Sequence, residues 1–360
     1  MQGRPAPPDR PGHEETADAT RFTRARPGAP VKVLLLGDAG RQAERLSRLL
    51  ADGTEVVVLP REALRAGEHD GRIAEDDVVV SLRFSRPAGR MPRFALLQVP
   101  GAGLDGVELD ALPPSTAVCN VFEHETPIAE YVMWALLRHV LQPERMAFSA
   151  GSWSDAYRAR VPHGELAGRT VGLFGFGRIG RAIAVRARAF GMRVATLDRS
   201  IGDAAGLVDL RVPADDLPAL LRESDYLVLC APLTDATRGR FGDAELRTMK
   251  RDAVLVNVSR AELVQEAALY RALADGSIGG AVLDVWYAYP AGTEDRVEPS
   301  TLPLPGLPNV VATAHSSAWT HALPERRYRL IADNVRRLRE GRPLLNLVRA
   351  PRTDFTGARA

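Results

Sequence analysis

The chain has 360 residues, 45% of them apolar and 26% charged, the balance of an ordinary globular protein long enough for about two domains. Lys and Arg number 47 against 45 Asp and Glu, and the resulting net charge of +2 argues against a dedicated nucleic-acid binder. Cys119 and Cys230 are the only cysteines and both lie in apolar runs, which excludes a disulfide scaffold and a cysteine-based zinc site; no apolar run reaches the ~18 residues of a membrane span.

Residues 1–29 are rich in Pro, Arg, acids and Gly and carry almost no large apolar side chains, so they are expected to be unstructured. They lack the apolar stretch of a secretory signal, and Asp9, Glu14, Glu15 and Asp18 are unlike a transit peptide, so a cytoplasmic protein is expected. Five apolar runs follow: VKVLLLG (31–37), EVVVLP (55–60), DVVVSLRF (77–84), FALLQVPG (94–101) and TAVCNVF (116–122). Continuous apolar runs of this length suit parallel strands covered on both faces. Residues 38–51 have helical spacing, so residues 30–125 form one α/β unit.

A helix is expected from Pro127, a residue suited to a first turn, to about Phe148. It is apolar on most faces through Ile128, Val132, Met133, Trp134, Leu136, Leu137, Val140 and Leu141, the signature of burial, in part against a second subunit. A second strand series then runs TVGLFGFG (170–177), MRVATLD (192–198), DYLVLCAP (225–232), AVLVNVS (253–259), GGAVLDVW (279–286) and NVVATAH (309–315). Helical patterns separate most of these runs, which predicts a doubly wound parallel sheet. A last helix is expected over Pro324 to Arg339, and the tail from about Arg349 to Ala360 reads as loose.

Gly175, Gly177 and Gly180 form G-x-G-x-x-G, with Phe176, Arg178 and Ile179 between them. The string follows a predicted strand, opens a predicted helix, and is followed by a strand ending at Asp198, the full context of a dinucleotide loop. The first glycine permits the turn, the second lets backbone approach the pyrophosphate, and the third lets helix and strand pack closely. Pyrophosphate sits on the helix N-terminus, where N–H groups and the dipole favour anions. Asp198 accepts from the ribose hydroxyls and repels a 2′-phosphate, which favours NAD over NADP; Arg199 beside it works the other way.

Six motifs in order carry a family likeness: LLQVPGAGLDGVEL (96–109), GELAGRTVGLFGFGRIGR (164–181), DYLVLCAPLTDATRG (225–239), MKRDAVLVNVSRAELVQEAAL (249–269), GGAVLDVW (279–286) and NVVATAHSS (309–317). Across about residues 31–348 the sequence resembles the NAD-dependent D-isomer-specific 2-hydroxyacid dehydrogenases. The resemblance implies two doubly wound parallel-sheet domains, a Rossmann NAD domain (126–312) inserted in a flavodoxin-like substrate domain (30–125 with 313–348), an active site in the cleft between them, and a homodimer paired through the NAD domains.

It implies roles as well. Arg260, in Asn257-Val258-Ser259-Arg260, matches the arginine that grips the substrate anion, a task suited to a planar fork. His315 matches the general acid/base, with Ala314 where the family usually has proline. The glutamate that pairs with this histidine is replaced by Tyr289, which completes the catalytic set here. Asp284 matches the residue that meets the nicotinamide carboxamide, Ala231 and Pro232 match the adenine wall, and Val258 and Ser317 fall on the cofactor side. Asp235 and Thr237 read as loop-shaping residues. On the substrate side, Gly101-Ala102-Gly103 can offer backbone N–H groups to an anion, and Arg83 is placed to read a second anionic group. A metal site from Glu123, His124 and Glu125 is disfavoured, because adjacent residues do not converge on one ion.

The implied activity is hydride transfer between nicotinamide and the α carbon of a small anionic 2-hydroxy acid. Oxidation of a phosphonate- or phosphite-type substrate is the alternative chemistry, and a catalytically weak NAD(H)-sensing protein the alternative class. Without the glutamate, His315 is expected to titrate near the ~6.5 of free imidazole, so that oxidation is favoured and reduction fades above that pH. Glu294, Asp295 or Glu298 folding back onto His315 would change that expectation.

Overall fold

The computed structural model describes residues 31–51, 53–65, 67–86, 89–147, 151–198, 206–290 and 295–352. The expected unstructured segment 1–29, Arg199 and Glu294 lie outside the described residues.

In chain order the strands are β1 Val33–Leu36, β2 Val56–Leu59, β3 Val78–Val80, β4 Leu96–Gln98, β5 Ala117–Cys119, β6 Thr170–Phe174 and β7 Arg193–Leu197. They continue with β8 Leu210–Val212, β9 Tyr226–Leu229, β10 Val254–Asn257, β11 Gly280–Leu283, β12 Val310–Ala312 and β13 Leu347–Arg349. The helices are α1 Ala43–Leu50, α2 Glu125–Leu141, α3 Pro143–Met146, α4 Trp153–Arg158 and α5 Arg178–Ala189. After them come α6 Leu217–Glu223, α7 Asp243–Thr248, α8 Glu266–Ala274 and α9 Leu323–Glu340. Among the described residues no helix is long and apolar enough to cross a membrane.

The chain divides into two compact units, one made of the residues up to Glu123 and from His321 on, the other of His124–Thr320. The first unit's sheet has the order β13-β5-β4-β3-β1-β2. Strands β1 to β5 are parallel in the flavodoxin-like order, and their Val and Leu side chains are buried on both faces over most of the sheet. Tyr328, Ile331 and Val335 of α9 pack on one face with Leu35, Val80 and Leu96. The other face buries Phe84, Phe94, Val107 and Leu112, which come from turns and loops.

The second unit's sheet has the order β12-β11-β10-β9-β6-β7-β8 and is parallel throughout. That is the Rossmann order, with the direction of winding reversing between β6 and β9. Helices α2 and α5 cover one face through Val132, Leu136 and Ile183. Helices α6, α7 and α8 cover the other through Leu220, Leu246 and Leu269.

Four expectations need correction. The helix expected to run to Phe148 stops at Gln142, which takes a left-handed conformation (φ +49°). Pro143 explains this, since its ring disfavours a helical residue before it and starts the separate helix α3. The segment 38–51 begins as a 3-10 turn over Gly37–Gln42 and becomes α-helical only at Ala43. The tail is not loose at its start: β13 pairs antiparallel with β5, and the Arg349 guanidinium donates to the carbonyls of Leu109, Leu112, Pro113 and Thr116. An arginine fork can collect several orphan carbonyls at once, which fastens an edge strand that apolar patterning does not announce. Finally, the division between the units falls at 123/124 and 320/321, not at 125/126 and 312/313, so His315 and Ser317 belong to the second unit.

Candidate active site

The glycine loop leaves β6 at the point where the sheet order reverses. Gly175 has φ +112°, and a Cβ there would stand 2.6 Å from the backbone nitrogen of Ala231. A Cβ on Gly180 would stand 2.4 Å from the carbonyl oxygen of Gly175. Packing therefore forbids side chains at both positions. Gly177 differs: it is the N-cap of α5, and a Cβ there would meet nothing within 4 Å. Packing does not require that glycine, which keeps open the space above the N–H groups of the first turn of α5. Such a cradle suits a pyrophosphate.

The flanks of the loop are fixed. Ile179 packs on the apolar cluster under α5, and Arg178 reaches to 3.9 Å from a Glu125 carboxylate oxygen. Asp198 follows β7 with an exposed side chain, held by its N–H to the Val212 carbonyl at 2.7 Å. Nearby, Phe174, Leu197, Leu217, Thr237 and Arg240 line a cavity of about 240 Å³. Ala231 and Pro232 follow β9, and the Ser259 hydroxyl donates to the Ala231 carbonyl. The Thr237 hydroxyl accepts from the N–H of Thr234 and donates to the Pro232 carbonyl, both at 2.8 Å, so it closes the loop as its sequence suggests. The open cradle, the exposed Asp198 carboxylate and the nearby cavity together fit a dinucleotide.

Arg260 sits just past β10, beyond buried Val258, at the carboxyl edge of the sheet. Asn257 shapes this corner, since its amide donates to the Arg260 carbonyl at 2.9 Å and its Oδ1 accepts from the Ser259 N–H at 3.1 Å. His315 follows β12 in a left-handed conformation, φ +53°, which non-glycine residues take mainly where the surroundings enforce it. Those surroundings are visible. The Asp284 carboxylate accepts from the N–H groups of Ser316 at 2.8 Å and Ser317 at 3.0 Å, and from the Thr313 hydroxyl at 2.5 Å. Thr313 Oγ1 lies 2.7 Å from the Tyr131 hydroxyl, and Trp286 Nε1 donates to the Thr313 carbonyl at 2.8 Å. Asp284 is 1% exposed and both its oxygens are engaged by the chain, so it acts on the site by fastening the 313–317 turn.

Nδ1 of His315 lies 2.9 Å from the Tyr289 hydroxyl, which also accepts the Trp286 backbone N–H at 3.0 Å. Among the described residues, Tyr289 is therefore the group hydrogen-bonded to His315 at this nitrogen. Desolvation holds His315 below its ordinary pKa, partly offset by Asp284 and reinforced by Arg260. Desolvation raises the Tyr289 phenol above its ordinary value, with the Trp286 N–H and Arg260 pulling the other way and Asp284 and Glu262 adding to the rise.

The structure thus brings Arg260, Tyr289, Asp284, His315 and the glycine loop to the second unit's sheet. Arg83 and Gly101-Ala102-Gly103 lie in the first unit. There Asn120 donates to the Ala102 carbonyl at 3.0 Å and the Val121 N–H reaches the Gly101 carbonyl, so the loop is tied to the chain leaving β5. Arg83 is exposed. Three residues on, Arg86 is buried and donates to both Asp70 oxygens while lying over Phe84, a structural arginine that sequence spacing did not separate from Arg83. Tyr131, Trp286 and Thr313 were also missed, because each acts through a contact distant in sequence.

Residues 131–317 match the family model described as D-isomer specific 2-hydroxyacid dehydrogenase, NAD binding domain. The chain is 35% identical over 287 residues to a glyoxylate reductase of Korarchaeum cryptofilum, covering 77% of this chain and 84% of that protein. It is 32% identical over 261 residues to a glycerate dehydrogenase of Methylorubrum extorquens, covering 71% and 79%. Among solved structures it superposes, with a TM-score of 0.69 and 25% identity over 89% of this chain and 98% of the other, on an NADPH-dependent glyoxylate/hydroxypyruvate reductase of Sinorhizobium meliloti in complex with NADP and sulfate.

Proposed function

Because this chain belongs to the D-isomer-specific 2-hydroxyacid dehydrogenase family, we propose that it is an NAD-dependent oxidoreductase acting at the α carbon of a small anionic 2-hydroxy or 2-oxo acid. The observation that carries this reading is the placement of Arg260 and His315 on the carboxyl edge of the sheet that also bears the open glycine cradle. NADH, when bound, supplies the hydride. Gly175, Gly177, Arg178, Ile179 and Gly180 hold its pyrophosphate, Asp198 its ribose, and Ala231, Pro232 and Val258 flank it. Asp284 and Ser317 hold the turn on the nicotinamide side. Arg260 grips the carboxylate bidentately and orients the carbonyl. His315 exchanges the proton at the substrate oxygen. In the first unit, the 101–103 loop and exposed Arg83 are the proposed anion-binding residues.

The proposal includes a cytoplasmic homodimer. Support for the pairing comes from an open groove of about 720 Å³ in which Met133, Trp134 and Leu137 of α2 and Phe190 at the end of α5 form the apolar lining.

A panel of 2-oxo acids with NADH, and 2-hydroxy acids with NAD, followed at 340 nm, tests the activity. Glyoxylate and hydroxypyruvate are the first probes, in view of the relatives' activities. Turnover of phosphite or a phosphonate in place of every hydroxy acid would move the reading to that chemistry. NADH binding with no turnover would leave a nucleotide-binding protein.

A further inference from the structure

We propose that Tyr289 is a proton-relay residue: its hydroxyl donates to Nδ1 of His315, fixes the neutral imidazole with its proton on Nε2, and passes a proton through the ring to the substrate oxygen. The tautomer stands on the hydrogen-bond geometry and the ordinary acid strengths of phenol and imidazole, while the relay rests also on the dehydrogenase reading.

Two arrangements could share one hydrogen across the 2.9 Å between Tyr289 Oη and His315 Nδ1. Phenol, with a pKa of about 10, is a far stronger acid than a neutral imidazole N–H. An imidazole nitrogen, with a conjugate acid near ~6.5, is a far better base than a phenol oxygen. The hydrogen bond therefore runs from Oη to Nδ1. The Trp286 N–H, 3.0 Å away, occupies a lone pair of the same oxygen and polarises it further in that direction. A carboxylate in this place would do the opposite, accepting an Nδ1–H and leaving Nε2 bare in the neutral ring. The exchange of glutamate for Tyr289 thus reverses the polarity of the dyad.

The reductive step balances as follows. The carbonyl carbon takes hydride, and the C=O π pair moves to oxygen. That oxygen forms its O–H bond with the Nε2 proton, and the N–H electron pair returns to the ring. Nδ1 takes the Tyr289 proton, leaving phenolate, which water then reprotonates. The groups facing the dyad are Arg260, Asp284 and Glu262, besides the Trp286 N–H. Arg260 and that N–H stabilise the transient phenolate, while Asp284 and Glu262 oppose it.

The relay changes the pH behaviour read from sequence. Imidazolium is no longer the only acid. Reduction should stay level as pH rises through the His315 pKa, which desolvation lowers, and fall only when the Tyr289 phenol, which desolvation raises, itself ionises.

The first test needs neither cofactor nor substrate. ¹⁵N NMR of histidine-labelled protein above pH 8, with His315→Asn to identify the signal, should show protonated Nε2 and hydrogen-bonded bare Nδ1. In Tyr289→Glu the proton should move to Nδ1. A wild-type protein protonated on Nδ1 overturns the tautomer and the relay with it. The second test is reduction of glyoxylate by NADH between pH 6 and 10. Wild type should hold within about twofold up to pH 9, whereas Tyr289→Phe should lose about tenfold per pH unit above the His315 pKa. Parallel profiles overturn the relay. Should Tyr289→Phe fail to fold, site-specific 3-fluorotyrosine, a more acidic phenol, should move the alkaline limb down, and an unmoved limb overturns the relay. Absence of turnover with every oxo acid would sink the dehydrogenase reading and the relay, while the tautomer is still decided by NMR.

Discussion

Ser316 donates its backbone N–H to the carboxylate of Asp284 at 2.8 Å, and this bond, one residue past His315, helps lock the left-handed backbone on which the imidazole stands. The carboxylate serves three donors, so its loss is felt as geometry. Asp284→Asn places an amide N–H₂ against at least one of them, and a buried unsatisfied donor costs about 1–3 kcal/mol. The expected result is a lower melting temperature together with a tenfold or greater fall in kcat. Thermal unfolding and steady-state kinetics check it; unchanged kcat in a folded protein would mean the turn is held by something else.

Arg260→Ala should reduce kcat/KM by at least about a thousandfold, several kcal/mol, because both grip and orientation are lost. Arg260→Lys should recover only part, since a point charge cannot form a fork. NADH affinity should persist in both, as measured by fluorescence titration. Full activity in Arg260→Ala would show that the anion is held elsewhere.

The glycines of the cofactor loop should separate by variant. Gly177→Ala adds a methyl where nothing stands within 4 Å, so stability should be kept while NADH binding weakens. Gly180→Ala drives a Cβ to 2.4 Å from the Gly175 carbonyl, so stability itself should fall. Chemical denaturation and NADH titration on both proteins distinguish these outcomes. Equal stability loss in the two would remove the argument for an open cradle.

Asp198 should favour NADH over NADPH by at least about tenfold in Kd, or ~1.4 kcal/mol, through repulsion of the 2′-phosphate. Asp198→Ser should narrow the ratio. Equal dissociation constants in wild type would point to Arg199.

Light scattering should find a dimer at micromolar concentration, and Trp134→Glu should shift it to monomer by placing a charge in the apolar groove on α2. A monomeric wild type would refute the pairing.

That both units are built on parallel sheets was legible because buried parallel strands are continuous apolar runs, whereas the flavodoxin-like and Rossmann arrangements were implied only by the family resemblance. Short strands such as β8, with Arg211 at its centre, carry no such run. The break at Gln142 was signalled by Pro143, a cue that the strong apolar pattern of α2 outweighed. Within the site, Arg260, His315 and the substitution of Tyr289 were legible as motif positions. That the Trp286 N–H shares the Tyr289 oxygen, or that Tyr131 meets Thr313 from 182 residues away, depends on tertiary approach, and residue spacing does not encode it.

The first unit is built from the two chain segments that flank the second. Its face over Leu35, Val80 and Leu96 is closed by Tyr328, Ile331 and Val335 of α9, and the edge of β5 is covered by β13. During synthesis those pieces leave the ribosome only after the whole of His124–Thr320 has been made. At the ~5–20 residues per second of translation, the early strands wait on the order of ten seconds or more with an uncovered apolar face and an open edge. The Rossmann unit, continuous in the chain, has everything it needs before then. A nascent-chain population stalled near residue 320 should therefore protect the glycine loop from protease while β1 to β5 remain cleavable, and these strands are where chaperone contact during biogenesis is expected to fall.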